Sequence, residues 1–202
     1  MNAFQMHLIE KQALKLLNSL STSKDEKVLA AVRGLIDTTL TEAEVPRFII
    51  EDVLALKDRQ QLEPFFKMVK ENVQPFPEVS EQAVKRLWKK EKKLKAPKVA
   101  NPHVTFVAWD DTSTRTRFFV YEQEGELTGV KGVFSTEQIK GVCALCRQHQ
   151  SVSLFTTKEK GEAEGTYKKY SQYICKDIEK CEQGIDSQEK LFSFMETVKP
   201  RS

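Results

Sequence analysis

The chain has 202 residues, of which 40% are hydrophobic and 30% are charged, and its formal net charge is +3. This composition is typical of a soluble globular protein with one large domain or two small ones. No stretch approaches the roughly 18–20 apolar residues that span a bilayer, and the N-terminus lacks the basic and apolar segments of a secretion signal. We therefore expect a cytoplasmic protein without membrane contacts.

The first half of the chain has the apolar spacing of α-helices. Apolar residues recur every three or four positions, which places them on one buried face of each helix. Residues 23–26 (SKDE) have the form of a capping box, and Pro46 suits a first helical turn because no N–H is needed there. The pattern predicts helices over about residues 4–20, 25–40, 46–54 and 62–73.

A fifth helix is predicted over residues 80–97, SEQAVKRLWKKEKKLKAP. Trp88 lies on its apolar side and is expected to anchor it in a core, whereas residues 85–98 carry eight bases and one acid. Such a cluster can bind a phosphate backbone or an acidic protein surface, and it can equally be a solvated helix face. Two nearby prolines predict a domain boundary, with a helical domain over residues 1–99 and a second domain over residues 100–202.

The second domain has the composition of β-strands. Runs of β-branched and aromatic residues are separated by short polar turns, one of which is a hairpin turn at residues 160–165. A last helix is predicted over residues 187–198. The sequence therefore predicts an α+β protein in which a helical bundle precedes a small β-rich domain. The predicted strands are residues 104–109, 116–123, 127–134, 151–158 and 166–176.

All four cysteines lie in the second domain. Cys143 and Cys146 form a Cys-x2-Cys pair, and Cys175 and Cys181 form a second pair with five residues between them. Two thiolates on one tight turn can reach the same ion, and two pairs complete a closed tetrahedral shell that suits structural zinc. A knuckle, a β-hairpin and a second pair beside a helix follow the order of a treble-clef zinc finger. We expect one structural Zn²⁺ held by these four cysteines.

Three alternatives for the cysteines stay open on sequence grounds. Cys143 and Cys146 could be a redox pair, although the thioredoxin-like context of such pairs is missing. The four cysteines could also be unrelated buried residues, and His149 could replace one ligand. Zinc binding predicts that chelation loosens residues 141–202 and leaves the helical half largely intact.

The sequence contains no recognisable catalytic constellation. It lacks a glycine-rich phosphate loop, a nucleophile elbow and a His-x-Glu companion to the cysteines, so we do not expect an enzyme. Lys168 and Lys169 stand beside Tyr170 in TYKKYSQY, a stretch that could present a basic and aromatic surface to RNA or to a protein. An RNA- or ribosome-binding protein that uses the lysine-rich helix is therefore an alternative function.

Several motifs of the second domain resemble the FusB/FusC family of elongation factor G-binding proteins, the fusidic acid resistance type. The motifs are FVAW at 106–109, GVCALC at 141–146, SVSLF at 151–155 and YICKD at 173–177, followed by Cys181. The similarity extends from residue 104 to residue 198, and the first half agrees in helical character and length. The resemblance implies an N-terminal helical bundle and a C-terminal treble-clef-like zinc domain.

The resemblance also implies a function. The zinc domain would bind the C-terminal domains of elongation factor G and help this factor leave the ribosome, including when fusidic acid has stalled it. Phe155 and Phe194 match aromatic contact residues of the family, while two further family contacts correspond to Gln183 and Asp186. A place in the core of the domain is the alternative for both phenylalanines. We expect a monomer that acts as a binding partner and performs no chemistry on the drug.

Overall fold

The computed structural model describes residues 1–160 and 165–199 and divides the chain into two units, Met1–Pro75 and Phe76–Ser202. The predicted turn at residues 160–165 lies mostly outside the described residues. No helix among the residues described has both the length and the apolar character needed to cross a membrane.

The first unit is helical, and its four α-helices confirm the four predicted in this part of the chain. They are α1 (Ala3–Thr22), α2 (Glu26–Glu42), α3 (Arg47–Ala55) and α4 (Leu62–Glu71), with a 3-10 turn at Arg59–Gln61 before α4.

The capping residues of these helices differ in part from the prediction. Asn2 and Gln5 form a capping box at the start of α1, because each side chain accepts a hydrogen bond from the other residue's backbone N–H. The predicted box at residues 23–26 does not form. Asp25 caps α2 instead, by accepting a hydrogen bond from the backbone N–H of Lys27.

The core of the helical unit is built from the apolar faces of its helices. Ile9 and Leu16 of α1 are fully buried together with Ile36 and Leu40 of α2 and Ile49 of α3. The apolar residues that recur with helical spacing are therefore the residues that face the core. This unit contains neither cysteines nor the lysine-rich segment, so the candidate sites lie in the second unit.

The second unit combines an antiparallel sheet with three helices among its described residues. In chain order these elements are α5 (Glu81–Leu87), β1 (Val107–Asp111), β2 (Thr116–Gln123), β3 (Glu126–Phe134), β4 (Ile139–Val142), β5 (His149–Lys160), β6 (Tyr167–Cys175), α6 (Ile178–Gln183) and α7 (Gln188–Val198). The predicted fold class, α+β with a helical part followed by a β-rich part, is confirmed. Sequence reasoning missed β4 and α6.

β5 is the central strand of the sheet. One of its edges pairs with β4 and with the end of β3, and its other edge pairs with β6 along most of its length. β1 and β2 extend the sheet beyond β3. Because side chains alternate along a strand, this arrangement gives the sheet two faces with different coverings.

The face that carries Phe119 and Phe155 is covered by α7. Phe194 of α7 lies against Phe119, with ring centroids 6.4 Å apart, and the Phe119 and Phe155 rings meet edge to face at 5.4 Å. The hydroxyl of Thr157 donates a 2.6 Å hydrogen bond to the carbonyl of Val198 at the end of α7. This face forms an aromatic core.

The opposite face is covered near β1–β3 by Trp88, which lies directly after α5. Its ring packs edge to face on Phe118, and a Cβ on Gly129 would lie 2.7 Å from the Trp88 ring. Only glycine therefore leaves room for the ring at this position. The prediction that Trp88 anchors a core is confirmed, and the core is that of the sheet.

Two sequence predictions about this region need correction. The boundary between the units lies between Pro75 and Phe76, not after residue 99, because α5 and Trp88 pack on the sheet. The lysine-rich helix ends at Leu87, and residues 89–98 form turns and irregular chain. Helical continuation would stack lysines of like charge three and four residues apart. The observed path instead brings Leu94 and Ala96 onto the apolar cluster around Trp88.

Candidate metal centre

The four cysteines meet at one end of the sheet. Cys143 and Cys146 lie on the tight turn after β4, Cys175 is the last residue of β6, and Cys181 lies within α6. A knuckle, the β5–β6 hairpin and α6 therefore follow one another in the order predicted for a treble clef.

Backbone hydrogen bonds fix the knuckle. The N–H of Cys143 donates to the carbonyl of Gln148, and the N–H of Arg147 donates back to the carbonyl of Cys143, both at 2.9 Å. The N–H of Ala144 donates to the carbonyl of Tyr173 at 2.8 Å, which ties the knuckle to β6. Arg147 has a φ of 60°, so the turn closes through a left-handed residue.

The sulfur atoms have the spacing of a tetrahedral zinc shell. All four lie within 4.8 Å of one another, and all four residues are buried. The Cys143 and Cys181 sulfurs are 3.7 Å apart, and those of Cys146 and Cys175 are 3.5 Å apart. Zn–S bonds of about 2.3 Å in a tetrahedron require sulfur separations of about 3.8 Å. The donor set and its geometry therefore fit zinc.

The four thiols shift one another's pKa values because they lie so close together. Hydrogen bonds from the Cys146, Cys175 and Cys181 thiols and from the Cys146 backbone N–H hold the pKa of the Cys143 thiol far below its usual range. The adjacent Cys143 sulfur raises the pKa of Cys175 and of Cys181 well above that range, because a second thiolate would be repelled. A divalent cation removes this conflict, since it allows all four sulfurs to be ionised together.

Arg117 connects the backbone at the metal centre to β1, the edge strand at the other end of the strand order. Its side chain is almost completely buried and forms a two-point ion pair with Asp110, at 2.7 and 2.9 Å. The same guanidinium donates to the carbonyl of Cys175 at 2.7 Å and to that of Lys176 at 2.9 Å. Its plane also lies over the Phe134 ring, 3.9 Å from the centroid. Arg117 therefore holds the backbone of a metal ligand, a role that sequence reasoning missed.

His149 and Gly184 define the surroundings of the four sulfurs. His149 is exposed and lies outside the cysteine cluster, so it does not replace a ligand. A Cβ on Gly184 would lie 2.8 Å from the Cβ of Cys146, which shows how closely the chain after α6 approaches the knuckle. The glycine is required by this close approach.

The two phenylalanines expected to contact a partner are in the core. Phe155 has no exposed surface, and Phe194 is 3% exposed. Both pack around Phe119 on the face covered by α7. Their burial corrects the expectation that they present a surface to a partner. Gln183 at the end of α6 is exposed, and Asp186 forms an ion pair with Lys190.

The other predicted contact residues do not share one surface. Lys168 and Tyr170 lie on the α7 side of β6, where the Tyr170 hydroxyl donates to Glu159 at 2.8 Å. Lys169 lies on the opposite side, because neighbouring residues of a strand point to opposite faces. The expected single basic and aromatic face is therefore divided between the two sides of the hairpin.

An exposed apolar patch occupies the face away from α7, and sequence reasoning did not identify it. Leu154 and Tyr173 are paired across β5 and β6, and Val133 and Ile139 lie beside them on β3 and β4. Tyr173 is 45% exposed, Val133 43% and Ile139 50%. We call these four residues the apolar patch. Alternation along the strands could have indicated it once the position of α7 was known.

Comparison with known proteins assigns both parts of the chain. Residues 81–199 match the family model described as FBP C-terminal treble-clef zinc-finger, and residues 1–77 match that of the elongation factor G-binding protein, N-terminal. A search of curated proteins found no match. A solved structure entitled "Structure of the fusidic acid resistance protein FusC" is similar in fold, with a TM-score of 0.86 and 24% identity, over 98% of this chain and 97% of that one.

Geometry and comparison agree on the metal and on the family. Cys143, Cys146, Cys175 and Cys181 hold one structural zinc ion, as the sequence predicted. The zinc-finger model spans more than half of the chain, and the resemblance to the FusB/FusC family is confirmed. The chain therefore belongs to the FBP C-terminal treble-clef zinc-finger family.

Proposed function

We propose that this chain binds elongation factor G and promotes the release of that factor from the ribosome, without catalysing a reaction. The observation that carries the proposal is the match of residues 1–77 to the N-terminal model of elongation factor G-binding proteins, next to the zinc-finger match. The chain would act in the cytoplasm as a monomer. Its target would be the C-terminal domains of the factor.

The apolar patch is the surface that we propose for this contact. Exposed apolar groups that lie together mark protein-binding sites, and tyrosine is enriched among residues that dominate binding energy. Lys158 and Lys169 are paired on the same face and add positive charge at its edge. The zinc-held knuckle is bonded to the Tyr173 backbone, so little ordering entropy is lost when a partner binds.

A binding measurement with two matched variants tests the proposal. Tyr173→Ala removes an exposed aromatic side chain of the patch, and Phe48→Ala removes one that is 51% exposed in the helical unit. We expect Tyr173→Ala to weaken binding of purified elongation factor G by about 2 kcal/mol, which is about thirtyfold in Kd. Phe48→Ala should leave the Kd within about twofold.

The two variants also separate the possible outcomes. Both should keep one zinc per chain, because neither side chain belongs to the four-cysteine ligand set. Weaker binding in Phe48→Ala alone would move the contact surface to the helical unit. No complex of the unmodified chain at micromolar concentration would refute the proposed function.

Release from the ribosome needs its own test. Ribosomes stalled with fusidic acid retain elongation factor G, and the retained amount can be measured after sedimentation. Addition of the chain should lower that amount, and Tyr173→Ala should restore it. Retention that is unchanged by a chain that binds the free factor would refute the release step and keep the binding proposal.

A further inference from the structure

A basic cavity of about 900 Å³ lies under the lysine segment 89–98, on the side of β1. The segment runs as turns and irregular chain, and five of its six lysines line the cavity. Lys90, Lys92, Lys93, Lys95 and Lys98 line it, with Trp109. The volume lies in the upper part of the range of about 300–1,000 Å³ that is typical of sites for small molecules.

The acids around the cavity are largely compensated. Asp110 is held by Arg117, and Glu91 forms an ion pair with Lys131 of β3. Asp111 accepts hydrogen bonds from the hydroxyls of Ser113 and Thr114 and has no cationic partner among the residues described. The five lysines are exposed and form no ion pair within the described chain. Five positive charges therefore face one uncompensated carboxylate.

An aromatic side chain forms part of the cavity wall. Trp109 is half-buried, and its ring stacks on Phe118 with an interplanar angle of 17° and a centroid distance of 5.4 Å. The Trp88 ring meets Trp109 edge to face at 5.8 Å. These contacts hold Trp109 rigidly, although part of its surface remains accessible in the cavity.

Several lysines beside a rigid indole favour one of two kinds of polyanion, an acidic protein segment or a single-stranded nucleic acid. The carboxylates of an acidic protein segment would use the charges, but they offer no aromatic face to stack on the indole. A single-stranded nucleic acid uses both, because phosphates follow one another along its backbone and every base has a face that can stack. We propose that this cavity binds single-stranded RNA, with the lysines on successive phosphates and Trp109 against a base. This inference does not depend on elongation factor G binding.

Fluorescence anisotropy with labelled oligouridylate of about ten nucleotides tests the proposal on the full, zinc-loaded chain. Each phosphate contact contributes about −0.7 to the slope of log K against log salt for single strands, so five lysines predict a slope of roughly −3.5. Absence of binding at about 50 mM salt, or a flat salt profile, would overturn the proposal.

A charge-matched pair of triple variants locates the site. Lys90→Gln, Lys92→Gln and Lys93→Gln together should reduce the slope by roughly 2 and weaken binding at every salt concentration. Lys158→Gln, Lys168→Gln and Lys169→Gln remove the same charge from the β5–β6 hairpin and should leave the slope unchanged. An equal loss in both variants would show attraction by the overall charge and would overturn the assignment to the cavity.

Tryptophan fluorescence tests the stacking contact. RNA should quench the emission of the unmodified chain, and Trp109→Phe should lose the quenching, because the remaining Trp88 is buried. The phenyl ring preserves the contacts with Phe118, and circular dichroism and zinc content verify the fold. Polyglutamate that displaces the RNA with equal affinity, together with RNA binding that leaves emission unchanged, would assign the cavity to an acidic protein partner and overturn the RNA proposal.

Discussion

Phe155→Ala is the substitution that best separates a core role of this residue from a contact role. The side chain has no exposed surface and lies edge to face against Phe119. Its ring also fills the space above Gly132, where a Cβ would lie 2.7 Å from the ring. Truncation removes the transfer free energy of a buried aromatic group and leaves a cavity, so we expect the free energy of unfolding to fall by about 3–5 kcal/mol. Phe155→Leu should cost roughly 1–2 kcal/mol because it keeps most of the apolar volume.

Urea unfolding of the zinc-loaded chain measures these differences, and near-ultraviolet circular dichroism reports the aromatic core directly. Binding of elongation factor G at low temperature, where the variant is still folded, provides the second measurement. A surface contact would behave in the opposite way. Stability within about 0.5 kcal/mol of the unmodified chain, combined with a large loss of binding, would refute the burial of Phe155.

Three further perturbations address the metal centre. Arg117→Met leaves Asp110 without its cation and the Cys175 carbonyl without a donor. We therefore expect the free energy of unfolding in urea to fall by about 3–5 kcal/mol, and zinc to be transferred faster to a chromogenic chelator. Arg117→Lys should recover only part of both losses, and an unchanged rate of zinc transfer would contradict the positioning role. Gly184→Ala forces a Cβ to within 2.8 Å of Cys146, and should speed zinc loss while sparing the helical unit. Chelation removes a contribution of about 10–16 kcal/mol, so residues 141–199 should become sensitive to protease while the helical signal of residues 1–75 persists; full protease resistance after metal removal would contradict it.

The metal centre could be predicted from the sequence because its geometry is local. The Cys-x2-Cys spacing determines a knuckle regardless of the remaining fold, and the order of knuckle, hairpin and helix leaves few positions for the second pair. Arg117 could not be found in this way. Its partners include the carbonyl groups of Cys175 and Lys176, which any residue type would provide and which lie 58 and 59 positions away.

The lysine segment was mispredicted for a different reason. Val84, Leu87 and Trp88 have helical spacing, and Glu91 and Leu94 continue it, so the pattern favoured one long helix. Tertiary contacts override this preference. Trp88 is fixed on the sheet, and the backbone N–H of Ala96 donates to Glu81 at the start of α5, which folds the segment back on itself. The spacing of apolar residues alone does not indicate that the chain turns back at this point.

The sequence also could not indicate which residues of β5 are buried. In SVSLF, Val152 and Phe155 are both buried although they point to opposite faces of the sheet. The burial of Val152 on the face away from α7 removes the alternation that distinguishes an inner from an outer residue in this stretch. The choice between core and surface for Phe155 therefore required the position of α7.

The hydrogen bonds from Arg117 to the carbonyls of Cys175 and Lys176 constrain the order in which this protein can form during synthesis. The chain leaves the ribosome from its N-terminus, and domains generally fold as units, so the helical unit can fold first. β1, β2 and β3 follow, but Arg117 then points at carbonyl groups of residues that have not yet been made. A buried guanidinium with half of its acceptors missing opposes closure of the aromatic core. The β-rich unit therefore remains open until Cys175 and Cys181 emerge, and zinc capture and core closure become a single late event.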